Sequence, residues 1–289
     1  MLTSHRNFFT AVFCVTICCI YSSYCFAQEN NSIYNYHDTS RINHAYGSAK
    51  TMMGKTHIIN CFVSAGRKTW KQSEKDETLR KEQAGIYWLK KQAAKWIEEN
   101  LDFSVSNLGY ERDITLEKIE KDREPKNLKV KWVHLVLNTI GITDVYQYYD
   151  SVKNANNANN VVVLIFAKSV GRSYAQSAYS NYKNNDYFLE GAVIYSETFS
   201  GLEESPATII HEMLHLFGAR DIYISSTQNE EAVSKMNSVF PMSIMLDTHR
   251  EIGPLIVEQF TAWCIGWSHS FWGWYDFFMP ANRNNLIKQ

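Results

Sequence analysis

The segment His211-Glu-Met-Leu-His-Leu-Phe-Gly-Ala-Arg-Asp221 gathers residue types that can hold a metal ion and activate water. His211 and His215 are four apart, so on a helix they share one face. Two imidazoles so placed can bind one Zn2+ at about 2.0–2.1 Å each. Glu212 lies about 100° further around the same helix, which sets its carboxylate beside the metal as a general base. Gly218 can take the left-handed conformation that ends a helix, and the returning chain can then carry Asp221 to the histidines. Two His and one carboxylate leave a fourth position for water, the open arrangement that catalysis requires. The expected metal ligands are therefore His211, His215 and Asp221, with Glu212 as the catalytic residue. His249 is a rival third ligand. A bare H-E-x-x-H arises by chance in about one chain of this length per hundred. Fixing Gly218 and Asp221 as well makes chance far rarer.

These residues need a helix and a sheet to hold them. Residues 205–217 read as that helix, with Ser205 as N-cap and Pro206 at the first helical position, where its missing N–H costs nothing. Residues 57–64, 128–137, 161–167 and 187–196 read as strands from their β-branched or alternating runs. Residues 76–101, 143–153 and 252–267 read as helices, and 169–186 as a Tyr-rich loop. Strands alternating with helices, then a helical C-terminal part, predict an α/β sheet domain followed by a smaller subdomain.

Composition agrees with a globular chain. Of 289 residues 45% are hydrophobic and 20% charged, which excludes disorder, and a net charge of -1 gives no reason to expect nucleic acid or an anionic membrane as partner. Residues 1–27 read as a signal peptide, with Arg6, an apolar run from Phe8 to Ile20, and small residues Cys25 and Ala27 before the cleavage point. That run is too short to span a bilayer, which needs about 20 residues. Export is thus expected, and no stable membrane span. The mature chain keeps only Cys61 and Cys264, and two cysteines in an exported protein most economically form one disulfide. A thiolate of Cys61 capping the metal in a latent form is the rival.

The pattern ending at Asp221 resembles the signature of the metzincin zinc proteases, in the less common form that closes with Asp, as in snapalysin-like secreted proteases. The resemblance implies a zincin domain, α/β (α+β) in class. Its twisted, mostly parallel sheet has an antiparallel edge strand, and an active-site helix and a smaller helical C-terminal subdomain complete it. It implies a methionine turn beneath the metal, for which Pro241-Met-Ser-Ile-Met245 stands, with Met245 as its methionine. It also implies that residues 191–196 form the sheet edge beside the cleft, where an extended substrate adds as a further strand. Some metzincins carry a Tyr two residues after the methionine; here that position is Asp247, so no such Tyr is assigned.

Size, signal peptide, motif and an aromatic tail are together similar to the metzincin A subunit of a bacterial A–B toxin with a pentameric, cholera-toxin-like B ring. The expected domains are then a signal peptide at 1–27, a catalytic domain at 28–267 and a docking tail at 268–289. The tail's Phe271, Trp272, Trp274, Tyr275, Phe277, Phe278 and Met279 are too apolar to leave in water. They join a partner or pack on their own domain. The expected function is zinc-dependent endopeptidase. A free-standing secreted protease and a catalytically silent binding module on the same fold are the alternatives.

Overall fold

The computed structural model describes residues 47–119, 131–178, 188–223, 230–248 and 251–278. The expected signal peptide, His249 and residues 279–289 lie outside the described residues. The chain divides into two compact units. The larger takes Asp38–Asp221 and Met242–His269 and contains every expected metal ligand.

A six-stranded sheet forms its centre. The strands are β1 (Lys55–Ala65), β2 (Asp102–Leu108), β3 (Ile114–Leu116), β4 (Asn160–Val170), β5 (Tyr174–Gln176) and β6 (Gly191–Glu197). Their order is β2-β1-β4-β6-β5, with β3 pairing further along β1. All pairings are parallel except β5 with β6. The expected mixed α/β class, with a mostly parallel sheet and an antiparallel edge strand, is what the chain adopts. Residues 160–167 of β4 are all buried, which is why that strand reads as one unbroken apolar run rather than alternating.

Helices cover both faces. On one, Trp132, Val133, Val136 and Leu137 of α2 (Trp132–Thr139) pack with Val145 and Tyr149 of α3 (Val145–Asn156) onto Ile59, Cys61 and Val63 of β1. On the other lies α1 (Gln72–Ala93), whose Glu82 meets Asn60 of β1, and against α1 packs α4 (Pro206–Leu216). Gly85 makes that helix crossing possible. A Cβ there would stand 2.6 Å from Ile210 Cγ1 and 3.2 Å from the Pro206 carbonyl oxygen. Alanine normally favours a helix over glycine by about 1 kcal/mol, but overpacking costs about 1–3 kcal/mol, and a backbone oxygen cannot rotate away. Gly85→Ala should therefore lower the urea midpoint by about 1–2 kcal/mol equivalent. An unchanged or raised midpoint would show that the helices separate freely.

Several expected elements are corrected. Residues 128–137 were expected to be a strand, yet the part from Trp132 is helix α2. Its buried residues fall at 132, 133, 136 and 137, a helical spacing that the apolar composition masked. The expected helix at 252–267 shrinks to α6 (Gln259–Cys264), capped by Glu258, whose side chain accepts from Thr261 N–H. The expected loop at 169–186 contains β5, and β5 rather than 191–196 is the sheet edge. Gly191–Glu197 lies inside, flanked by β4 and β5.

The disulfide is also corrected: Cys61 and Cys264 are separate buried thiols. Cys61 points into the α2/α3 face of the sheet. The segment bearing Cys264 packs with α1 on the opposite face, where Trp88 Nε1 and Gln92 Nε2 donate to the Leu255 carbonyl and Trp96 Nε1 to that of Val257. A disulfide needs Cα atoms within about 7 Å and converging Cβ vectors, which the intervening sheet forbids. Burial pushes the Cys61 thiol up to about 12, far from the thiolate that a metal cap would require.

The smaller unit contains Ile222–Pro241 and, of the described residues at its other end, 270–278. It holds α5 (Glu230–Val239) and a 3-10 helix, Gly273–Phe277. Phe240 stacks on Trp274 at 6.5 Å, and Trp274 meets Tyr275 and Phe278 edge-on at 4.5 and 6.2 Å. Trp274, Tyr275 and Phe278 are thus buried within the chain itself.

Candidate metal centre

The local sequence builds α4 as expected. Ser205 sits in extended conformation and its side chain accepts from Thr208 N–H, with Pro206 next. Its first turn is thereby closed at the N-terminus. At the other end Gly218, at φ +99°, reverses the chain. Its N–H donates to the His215 carbonyl and that of Ala219 to the Leu214 carbonyl, which occupies acceptors at the helix end. Three residues later stands Asp221.

The three expected ligands meet. His211 Nε2 and His215 Nε2 are 3.1 Å apart, and Asp221 Oδ1 is 3.2 Å from the first and 3.1 Å from the second. The Nδ1 atoms face away, His211 Nδ1 to the Ile244 carbonyl at 2.9 Å and His215 Nδ1 to the Ala219 carbonyl at 2.8 Å. A carbonyl only accepts, so each Nδ1 carries the proton, and in the neutral ring each Nε2 presents its lone pair inward. Two imidazole lone pairs and a carboxylate oxygen aimed at one another suit a cation. Ligands of a tetrahedral zinc at about 2.0–2.1 Å stand about 3.3 Å apart, close to the spacing found.

Electrostatics agree. Burial alone would raise the Asp221 carboxyl, but the charges and hydrogen bonds of His215 and His211 hold it well below the usual carboxylate range. Burial alone would lower His215, but Asp221 overrides it and pushes the imidazole up to about 9. The cluster thus draws positive charge to the point where the three donor atoms converge. Burial pushes the Glu212 carboxyl upward, and His211 and His215 partly oppose it. The side chains of His211, His215 and Asp221 are 5%, 17% and 29% exposed, so the centre is enclosed yet reachable from the Asp221 side.

Met245 is fully buried beside Ile244, the residue whose carbonyl orients His211. That turn is fixed by Ile244 N–H donating to the Ile256 carbonyl and Ile256 N–H to that of Met242. The Ile244 and Ala219 carbonyls went unread in the sequence because a backbone acceptor has no residue signature. Ser177 was also missed. Following β5, it donates from Oγ to the His215 carbonyl at 2.9 Å and ties the sheet edge to the metal helix.

No family model matches the chain. No curated protein matches it. Among solved structures 17 chains match. One, described as "Structure of a chaperone-substrate complex", is 14% identical with a TM-score of 0.31, across 61% of this chain and 26% of that one. This chain therefore spans about a quarter of that protein's length, and the likeness carries no argument about fold or function.

Proposed function

We propose that the chain is a zinc-dependent endopeptidase of the metzincin type. The observation that supports it is the mutual approach of His211 Nε2, His215 Nε2 and Asp221 Oδ1 within 3.1–3.2 Å, with Glu212 buried on the same helix turn. His211, His215 and Asp221 would hold the ion, and an N,N,O donor set suits zinc. Zinc supplies acidification of water and polarisation of a carbonyl. Glu212 takes the proton from the attacking water and delivers it to the leaving amine. The Ile244 and Ala219 carbonyls keep the imidazole tautomers and orientations fixed meanwhile. A peptide substrate is favoured by the edge strand β5, tied through Ser177 to His215, where an extended chain can add main-chain hydrogen bonds.

Export and docking on a pentameric B ring belong to the same proposal. With Trp274, Tyr275 and Phe278 buried in the chain, such docking would use other residues of 268–289. Among the described residues no helix is long and apolar enough to cross a membrane.

The test is metal dependence. Hydrolysis of an unfolded protein substrate should cease on treatment with a strong chelator and return with Zn2+. Hydrolysis that persists at full rate in metal-stripped protein would refute the proposal.

A further inference from the structure

A buried polar pair joins β1 to α1 outside the metal centre. Asn60 is 0% and Glu82 3% exposed. Asn60 Nδ2 donates to Glu82 Oε2 at 2.6 Å and, through its second proton, to Asn107 Oδ1 of β2 at 3.0 Å. Two oxygens are left over: Asn60 Oδ1 and Glu82 Oε1 are both buried with no hydrogen-bond partner. Orphaned buried acceptors are costly, and two in one pair call for a physical reason. Where an amide and a carboxyl that share one hydrogen bond lie coplanar, their remaining oxygens face each other. If Glu82 is ionised, both are acceptors and repel. One proton on Oε1 makes it a donor to Oδ1 and closes a ring of two hydrogen bonds. The other amide proton stays with Asn107, so every polar atom of the pair is then satisfied.

We propose that Glu82 is carried as a neutral acid in a cyclic two-bond pair with Asn60, a proton-dependent latch that holds α1 on the sheet. Burial pushes the Glu82 carboxyl up to about 7, with the Asn60 N–H drawing it partly back. The charged groups on the surrounding elements are engaged elsewhere. Lys75 pairs with Asp113, Lys81 with Glu203 and Glu204, Lys90 with Asp102, and Lys168 of β4 with Glu74. His57 of β1 sits between the hydroxyls of Ser104 and Ser106, and the titratable groups of α4 are those of the metal centre. Glu82 lies one helical turn before Gly85, where α1 presses on Ile210, the neighbour of His211.

The sign follows from linkage. The folded carboxyl holds its proton to a higher pH than the unfolded one, whose pKa is about 4.3. The folded state thus binds more protons between these values, and the latch's contribution falls across that window as pH rises. It is complete at acid pH and lost above about 7.

The experiment compares wild type with Glu82→Gln. Glutamine keeps an acceptor for Asn60 Nδ2 and supplies a permanent donor for Asn60 Oδ1, so it copies the protonated latch at every pH. The folding-equilibrium advantage of Glu82→Gln over wild type should grow by about tenfold per pH unit between pH 5 and 7, then stop growing. Taking the difference between the two proteins removes the contributions of other buried acids such as Glu190 and Glu258. In parallel, carboxyl-carbon NMR of wild type labelled at glutamate should show one resonance titrating near pH 7 that is missing from Glu82→Gln. A constant difference across pH, no such resonance, or a Glu82→Gln protein that fails to fold where wild type folds would overturn the latch. Folding and carboxyl titration are read without metal or substrate, so this inference and the peptidase proposal can fail separately.

Discussion

Glu212→Gln should bind zinc as wild type does and hydrolyse peptides at least about 10²-fold more slowly, the lower end of general-base contributions. That factor corresponds to at least about 2.7 kcal/mol of transition-state stabilisation. The two halves of the result have separate causes. The atoms that could hold the ion belong to His211, His215 and Asp221, and glutamine has the shape of glutamate, so that set is untouched. The amide cannot accept the water's proton, so only the chemical step is lost. The Glu212 carboxyl is itself raised by burial, which moves a carboxylate base towards neutral pH, where proton transfer is better matched. The check is zinc content by elemental analysis beside kcat/KM on a peptide. Wild-type kcat/KM in a zinc-loaded Glu212→Gln protein would remove Glu212 from the mechanism.

What the sequence made legible follows the range over which its signals act. The metal helix is a local object. Ser205, Pro206, the four-residue histidine spacing and Gly218 each act within one or two turns, and each does as its chemistry dictates. Asp221 was reachable because the turn after Gly218 is short. The face of a strand that a distant helix covers is not local. β1 alternates apolar residues on both sides, so nothing in it reveals that Cys61 faces α2 and α3 while the Cys264 segment packs across the sheet. The edge strand failed for a related reason. β5 has three residues, too few for a period, and the resemblance placed the edge at 191–196 instead. The residues after 131 were misread because an apolar run of that length is compatible with a buried strand or a packed helix. Tertiary contact with Val161, Val163 and Ile165 decided it. Of the tail's aromatics, Trp274, Tyr275 and Phe278 are buried while Phe271 and Trp272 are only partly so, and the surface that meets Trp274, which includes Phe240, had no signal in the sequence.

Asp221→Ala should yield a protein that loses its zinc on dialysis, while His249→Ala keeps it. Asp221 Oδ1 stands 3.1–3.2 Å from both Nε2 atoms, the position of a third donor, and its carboxyl is held ionised by those imidazoles. Changing residues that merely orient metal ligands costs about 10–100-fold in affinity. Removing a ligand should cost at least the upper end of that range. One effect works against this loss through His215, whose imidazole Asp221 pushes up to about 9. Without the carboxylate His215 falls back and deprotonates more easily, which by itself would help a cation enter. The direct loss of an anionic ligand opposes this gain and is the larger effect, because two neutral imidazoles cannot offset the ion's charge. Zinc competition titrations of wild type, Asp221→Ala and His249→Ala at one pH would measure the balance. Retention of tight zinc by Asp221→Ala together with its loss from His249→Ala would transfer the third ligand to His249.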